Sequence, residues 1–198
     1  MLPRIHPMRL RSVKEPFDNP DYVFELKHDG FRALAYIQNG ECKLISRNLN
    51  NLSFNSLKKS LAKLPVKNVI IDGEIVILDD RGVSQFNQLL NRKAEPILYA
   101  FDLLWLDDDD LRRLPLIVRK KRLHDLIRSS DGGRILYAQH VEGEGKRVFE
   151  EICARDLEGI VAKRKRGIYK HDGNGWLKIK NRSYSQAEGR HELLTRAK

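Results

Sequence analysis

The chain has 198 residues and a net charge of +10, with 41% hydrophobic and 32% charged residues. This length can form one domain with its own core, and the composition is that of a globular protein rather than a disordered or collagen-like one. No apolar run approaches the roughly 18 to 20 residues of a membrane-spanning helix. The first residues also lack the apolar segment of a secretory signal. We therefore predict a cytoplasmic protein without a membrane partner.

The positive charge is concentrated at the C-terminal end, because residues 163–198 contain eleven Lys or Arg residues and three Asp or Glu residues. Such a concentration favours a polyanionic partner, since each neutralised phosphate releases counterions. A basic surface that serves only solubility is the alternative. Cys42 and Cys153 lie far apart and have no metal-ligand spacing, which predicts reduced thiols.

The N-terminal segment 1–20 contains four of the seven prolines and is predicted to be an irregular arm. After it, period-two alternation and turn signals such as Asn39-Gly40 predict strands, and apolar residues at helical spacing predict helices. The predicted strands are 22–28, 32–38, 42–46, 68–72, 74–79, 97–106, 135–141, 159–163 and 176–180, and the predicted helices are 54–64, 85–91, 115–127 and 144–156. Because strands outnumber helices and several form sequential hairpins, the predicted fold class is α+β with largely antiparallel sheets.

The segment Lys27-His28-Asp29-Gly30-Phe31-Arg32 follows the first predicted strand, and Gly30 permits a tight turn there. Alone, it could be an ordinary exposed basic turn. Four more short segments follow it in the chain: Asp72-Gly73-Glu74, Tyr99-Ala100-Phe101-Asp102, Glu158-Gly159-Ile160-Val161-Ala162-Lys163 and Trp176-Leu177-Lys178-Ile179-Lys180. In this order, the five segments resemble the motifs of the covalent nucleotidyltransferases, which include ATP-dependent DNA ligases, RNA ligases and mRNA capping enzymes.

Two further stretches resemble ligases in particular. Residues 110–123 resemble the linker and helix of the ligases, and residues 180–190 are most similar to the bacterial ligases of end-joining repair. The resemblance implies an α+β nucleotidyltransferase (ATP-grasp-like) adenylation domain over residues 21–186, with two mainly antiparallel sheets flanked by helices around a nucleotide cleft. Residues 187–198 would then be a basic C-terminal tail, with no OB-fold domain after it. A monomer in the bacterial cytosol or nucleoid is expected.

The chemistry of this family requires a lysine amine that attacks the α-phosphate of ATP and forms a phosphoramidate. A free lysine has a pKa of about 10.4 and is protonated at neutral pH. Nearby positive charge favours the neutral amine. Lys178 and Lys180 stand two apart on a predicted strand and therefore share a face. Together with Mg²⁺ or Mn²⁺, they could supply this charge and also neutralise the phosphates.

The resemblance implies that Lys27 becomes adenylated and passes AMP to the 5′-phosphate of nicked duplex DNA, which is then sealed. Glu25 and Phe101 would bind adenine, Arg32 and Glu74 would contact the ribose, and Arg47 would bind a phosphate. The complete implied nucleotide set is Glu25, Lys27, Arg32, Arg47, Glu74, Phe101, Lys178 and Lys180. The implied metal ligands are Glu158 and Asp29, although Asp29 could equally hold the turn. The implied DNA contacts are Arg47, Lys163, Arg164, Lys165 and Arg182.

The sequence departs from the family in two places. These ligases usually have an arginine about four residues before the motif tryptophan, but Asp172 stands at that spacing here. The phosphate contact would then be lost or taken over by Lys170 or Arg166. Without an OB-fold domain, which normally closes the site, sealing is expected to be slow unless that domain or an end-joining repair protein acts in trans.

Several interpretations stay open from the sequence. The chain could be the catalytic part of a longer ligase or a naturally minimal protein that uses a partner domain. An RNA ligase is the alternative enzyme. A module that binds DNA ends or ATP without turnover is the alternative that is not an enzyme.

Overall fold

The computed structural model describes residues 2–130, 133–173 and 175–187. The predicted tail 187–198 therefore lies outside the described residues, apart from Ala187. Within these ranges, the helices are too short or too polar to cross a lipid bilayer.

The structure contains eleven strands and four α-helices within the described residues. The strands are β1 Arg11–Ser12, β2 Asn19–Leu26, β3 Phe31–Gln38, β4 Glu41–Ser46, β5 Asn68–Val76, β6 Ile97–Leu106, β7 Asp109–Asp110, β8 Ile135–Tyr137, β9 His140–Gly143, β10 Gly159–Arg164 and β11 Trp176–Lys180. The helices are α1 Asn55–Leu61, α2 Phe86–Leu90, α3 Leu116–Arg128 and α4 Gly145–Ala154. The predicted helices and most of the predicted strands are thus present, with some changes at their boundaries.

The strands form two sheets. The five-stranded sheet has the order β1-β11-β10-β2-β9, and the six-stranded sheet has the order β4-β3-β5-β6-β7 with β8 paired to β6. The β1–β11 and β6–β8 pairs are parallel, and the other pairs are antiparallel. The prediction of an α+β fold with two mainly antiparallel sheets is therefore confirmed.

The extents of three predicted strands were wrong. The predicted strands 68–72 and 74–79 form the single strand β5, because Gly73 lies inside the ladder beside a break in register. A Cβ at this position would lie 2.7 Å from the carbonyl oxygen of Tyr99, so the glycine permits close strand approach rather than a turn. The predicted strand 135–141 divides into β8 and β9, which pair with different sheets.

Apolar side chains fill three regions. The outer face of the six-stranded sheet packs against α1 and α3, and the outer face of the five-stranded sheet packs against α4. A third cluster lies between the sheets and includes Ile5 and Met8 from the N-terminal arm. Residues 2–10 have no regular secondary structure, yet both of these side chains are buried. The arm is therefore part of the core that separates the two sheets.

Helix α3 carries two charged residues on its buried face. Arg119 and Lys120 follow Leu116 at helical spacing, and both side chains are buried. The Arg119 guanidinium donates two hydrogen bonds of 2.7 Å to the carboxylate of Asp102 on β6, and both side chains are 0% exposed. It also donates to the carbonyl oxygens of Leu114 and Gly167. This ion pair fixes α3 against the six-stranded sheet.

We expect Arg119→Met to lower the free energy of unfolding by about 3 to 5 kcal/mol, because it leaves the Asp102 carboxylate buried without its cation. Arg122→Met on the same helix is the matched control. Arg122 is partly exposed and lies 3.5 Å from Asp109, so its loss should cost less than about 1 kcal/mol. Urea denaturation of the three proteins provides the measurement. Equal decreases in the free energy of unfolding for the two variants would contradict the stabilising role of the buried Arg119–Asp102 pair.

Candidate active site

The strand register places the predicted catalytic residues on one face of the five-stranded sheet. Glu25 on β2 lies opposite Val161 on β10, and Val161 lies opposite Lys178 on β11. Residues opposite each other share a face, and alternate residues of one strand do so as well. Glu25, Lys163, Lys178 and Lys180 therefore point to the same side, away from α4. Lys27 follows directly after β2 and lies at the end of this face.

The amine of Lys27 contacts Glu158. Its Nζ donates a hydrogen bond of 2.7 Å to Oε2 of Glu158, and the Lys27 side chain is 22% exposed. The backbone also holds this arrangement, since the Lys27 amide donates to the carbonyl oxygen of Gly159 at 2.9 Å. Gly159 has a φ of +140°, and a Cβ there would lie 2.2 Å from the carbonyl oxygen of Ile179. A glycine at this position thus allows Glu158 and Lys27 to meet.

Lys178 lies within electrostatic range of this pair. Burial lowers the pKa of Lys178, and the positive charges of Lys180, Lys27 and Arg47 lower it further, while Glu158 partly opposes them. These side chains are therefore close enough to interact, although they come from different parts of the chain. The structure thus brings together the predicted nucleophile and three of the predicted phosphate-binding cations.

Glu25 lies at the centre of a buried group of three charges. Its Oε1 accepts a 2.7 Å hydrogen bond from Nζ of Lys120, and its Oε2 accepts a 2.6 Å bond from Nζ of Lys163. Burial acts to raise the pKa of Glu25, but the two ammonium groups outweigh it and hold the pKa below its usual value. Burial lowers the pKa of Lys163 to about 8, with Glu25 partly opposing this shift. Both carboxylate oxygens of Glu25 are therefore occupied in this structure.

The position of Lys163 corrects its predicted role in DNA binding. Lys163 is 2% exposed, and its Nζ lies 4.2 Å from the ring centroid of Phe101 and 4.1 Å from that of Trp176. Its ammonium group therefore lies in the interior, beside the predicted adenine-binding residues. Arg164 points to the opposite face, where its Nε donates to the hydroxyl of Tyr22 at 2.8 Å.

Arg32 forms a second buried ion pair. Its guanidinium donates to both carboxylate oxygens of Asp72, at 3.1 Å and 2.7 Å, and to the carbonyl oxygen of Met8 at 2.6 Å. Burial alone would lower the pKa of Arg32, but the Asp72 carboxylate raises it above the usual value. The hydroxyl of Tyr169 donates to Asp72 at 2.6 Å. The predicted ribose contact Arg32 is therefore fixed by the neighbouring strand, the arm and a loop.

Glu74 pairs with Arg32 in the register between β3 and β5. Burial raises the pKa of Glu74 to about 7, and the positive charges of Lys27 and Arg32 only partly oppose this shift. The side chain is thus part of the same electrostatic environment as the predicted nucleophile.

The remaining predicted contacts are spread over the surface. Arg47 and Arg182 are exposed, whereas Lys165 forms a 2.8 Å ion pair with Glu142. Asp172, which replaces the family's arginine, lies 4.0 Å from Arg9 of the arm. Lys170 and Arg166, the two predicted substitutes for that arginine, are exposed.

Residues 6–180 match the family model for the ATP-dependent DNA ligase domain. The chain belongs to the ATP-dependent DNA ligase family. Among its relatives is the multifunctional non-homologous end joining protein LigD of Pseudomonas aeruginosa, which is 31% identical over 179 residues. This match covers 86% of the chain but only 21% of LigD. The SPbeta prophage-derived DNA ligase-like protein LigB of Bacillus subtilis is 29% identical over 191 residues, which cover 92% of the chain and 69% of LigB.

The fold is also that of a ligase. A solved structure of mycobacterial DNA ligase D complexed with ATP and MES superposes with a TM-score of 0.77 and 28% sequence identity. The match covers 88% of this chain and 60% of the mycobacterial chain. The expectation of a nucleotidyltransferase adenylation domain is therefore confirmed at the level of family and fold.

The carboxylates of this ligase-family chain suit a magnesium ion that also binds phosphates. The described residues contain no cluster of three or more His, Cys, Asp or Glu side chains that could hold a metal. Mg²⁺ in nucleotide sites is, however, commonly held by one or two carboxylates together with phosphate oxygens. Glu158 provides such a carboxylate beside Lys27. Asp29 is 5% exposed and accepts a 3.1 Å hydrogen bond from the hydroxyl of Tyr184.

Two residues of this site had no predicted role. Lys120 binds Glu25, and its place at helical spacing from Leu116 and Leu123 was a usable signal in the sequence. Tyr184 binds Asp29 from 155 residues away, and no local pattern indicates this contact. Two cavities of about 280 and 680 Å³ are lined by none of the predicted site residues.

The raised pKa of Glu74 predicts a pH dependence of stability. Between pH 4.5 and about 7, the unfolded chain releases this proton while the folded chain keeps it. The free energy of unfolding should therefore fall as the pH rises through this range. Glu74→Gln should remove that part of the slope in urea denaturation, whereas Glu150→Gln, at an exposed position, should not. Parallel slopes for the wild type and Glu74→Gln would contradict the assignment.

Proposed function

We propose that this domain adenylates itself on Lys27, as the first step of ATP-dependent DNA sealing. One observation carries the proposal: the Lys27 amine lies 2.7 Å from Glu158 and within electrostatic range of Lys178, which Lys180 and Arg47 also influence. A partly exposed lysine beside one carboxylate and several cations matches the needs of attack on a phosphate.

In the proposed reaction, the nitrogen of Lys27 forms a bond to the α-phosphorus of ATP while the bond to pyrophosphate breaks. The oxygen of Glu158 is placed to receive the proton that the amine loses. Lys178, Lys180 and Arg47 stabilise the negative charge of the phosphates. A bound Mg²⁺, held by Glu158 with or without Asp29, would neutralise phosphate charge as well. Pyrophosphate leaves, and AMP remains on Lys27.

The adenine would bind beside Glu25 and Phe101. Lys163 occupies the space at the Phe101 ring and binds Glu25. We propose that the base enters next to Lys163 and that Glu25 accepts a hydrogen bond from its exocyclic amino group. Arg32 and Glu74 would face the ribose, since they pair in register on neighbouring strands.

In the later steps, AMP would pass to the 5′-phosphate of nicked duplex DNA, and a 3′-hydroxyl would displace it. The end-joining relatives support this substrate, and we assign the DNA contacts to Arg47, Lys165 and Arg182. We propose that an OB-fold domain, on this protein or on an end-joining partner, assists sealing. Comparing nicked duplex DNA with nicked RNA tests the substrate class.

We expect the protein to gain the mass of one AMP when it is incubated with ATP and Mg²⁺, and Lys27→Ala to gain none. The reason is that alanine has no nucleophile at the reacting position. Lys121→Ala, which changes an exposed lysine on α3, is the control and should react like the wild type. Intact-protein mass spectrometry measures the adduct. An adduct on Lys27→Ala would refute the assignment of the nucleophile.

The salt dependence of DNA binding distinguishes residues that contact DNA phosphates from residues that do not. Arg47→Ala should weaken binding to nicked duplex DNA and reduce the slope of log K against log salt by about 1, because one phosphate contact is lost. Lys163→Met should leave this slope unchanged, since its ammonium is buried. Fluorescence anisotropy at several salt concentrations is the measurement. A reduced slope for Lys163→Met would restore Lys163 as a DNA contact.

A further inference from the structure

Several contacts hold the turn that carries Lys27. The Lys27 amide binds the carbonyl of Gly159. His28 stacks on the ring of Tyr99, with 3.8 Å between the ring centroids. Gly30 packs so closely against β5 that a Cβ would lie 2.1 Å from the carbonyl oxygen of Ile75. The fourth contact, to Asp29, comes from the segment that follows β11.

That segment, residues 181–187, folds back onto the turn before β10. The side chain and amide of Asn181 donate to the carbonyl oxygens of Leu157 and Glu158, at 3.0 Å and 2.9 Å. The amide of Ser185 donates to the Asp156 carboxylate at 2.9 Å, and its hydroxyl also binds Asp156. The segment is therefore anchored on both sides of Tyr184.

Tyr184 extends from this segment into the interior. It is 4% exposed, and its hydroxyl donates a 3.1 Å hydrogen bond to Oδ2 of Asp29. Asp29 stands two positions after Lys27 in the chain and belongs to the same turn. The same segment begins directly after Lys180, the last residue of β11. Tyr184 thus joins the nucleophile's turn to the chain that leaves the strand of Lys178 and Lys180.

We propose that Tyr184 is a positioning residue, which through its hydrogen bond to Asp29 sets the place of Lys27 relative to the cations of β11. This proposal rests on the proposed adenylation of Lys27. Its physical basis is that phosphoryl transfer depends mainly on positioning, and that a displacement of about 1 Å can cost a hundredfold in rate. The hydroxyl acts on orientation and not on the reacting atoms.

The test compares Tyr184→Phe, which removes only the hydroxyl, with Ser183→Ala. Ser183 is an exposed residue of the same segment, so it is the matched control. Single-turnover adenylation is followed by intact mass at a series of ATP concentrations. Backbone hydrogen exchange is measured on the same proteins for residues 26–31.

For Tyr184→Phe, we expect the rate at saturating ATP to fall roughly tenfold to a hundredfold. The ATP concentration for half the maximal rate should change by less than about twofold, because ground-state binding is retained. Hydrogen exchange should accelerate in residues 26–31. Ser183→Ala should match the wild type in all three measurements. A variant that had lost its fold would lose ATP binding together with the rate. A lower rate with an unchanged half-maximal ATP concentration therefore distinguishes positioning from misfolding.

Three outcomes would overturn the proposal: an unchanged rate for Tyr184→Phe, an unchanged exchange rate in residues 26–31, or an equal loss of rate in Ser183→Ala. If the wild type itself gains no AMP, the proposed adenylation fails. The exchange comparison does not depend on turnover, so it would still decide whether Tyr184 holds the turn of Lys27.

Discussion

The arrangement of the site depends on the hydrogen bonds that the buried carboxylate of Glu25 accepts from two ammonium groups. Glu25 belongs to the five-stranded sheet, and Lys120 belongs to α3, which packs on the six-stranded sheet. Their contact therefore joins the two layers of the protein at the predicted adenine site. Lys163 adds a second cation from the neighbouring strand. A buried charge costs free energy unless it is paired. Removing Glu25 or Lys120 would therefore destabilise the interface between the sheets.

The buried charged groups differ in whether their positive and negative charges cancel. Arg119 with Asp102 and Arg32 with Asp72 are pairs of opposite charge, and each guanidinium binds its carboxylate through two hydrogen bonds. Such pairs suit a structural role, because the geometry is rigid and the charge is compensated. The group around Glu25 instead contains two lysines for one carboxylate. The lowered pKa of Lys163 follows from burial and from this imbalance.

The excess of positive charge at the predicted base site would favour the binding of an anionic nucleotide in the proposed reaction. The nucleotide is an anion, and its phosphates would lie near Lys178 on this sheet face and near Arg47, which follows β4 of the other sheet. In the proposed reaction, the base would therefore meet buried cations and the phosphates would meet more exposed ones. The segment after β11 completes the arrangement by holding the turn of the nucleophile through Tyr184.

The sequence by itself determined the local elements and the ordered motifs. Period-two alternation identified β2, the Asn39-Gly40 turn indicated the hairpin of β3 and β4, and a nearly continuous apolar run identified β6. The motifs around Lys27 and Glu158 were sufficient to indicate the ligase family. Helical spacing also placed Arg119 on the ligase-like helix. These features depend on contacts between residues that are near in the chain or on patterns that one strand or helix repeats.

Only the tertiary structure decided which charges meet. Lys163 and Arg164 are neighbours in a basic run, yet one binds Glu25 in the interior and the other contacts Tyr22 on the opposite face. Strand alternation gives two faces, but the packing of the second sheet determines which of them is buried. The contacts Lys120–Glu25 and Tyr184–Asp29 join residues far apart in the chain. Such contacts depend on the register and packing of whole sheets, which no local pattern encodes.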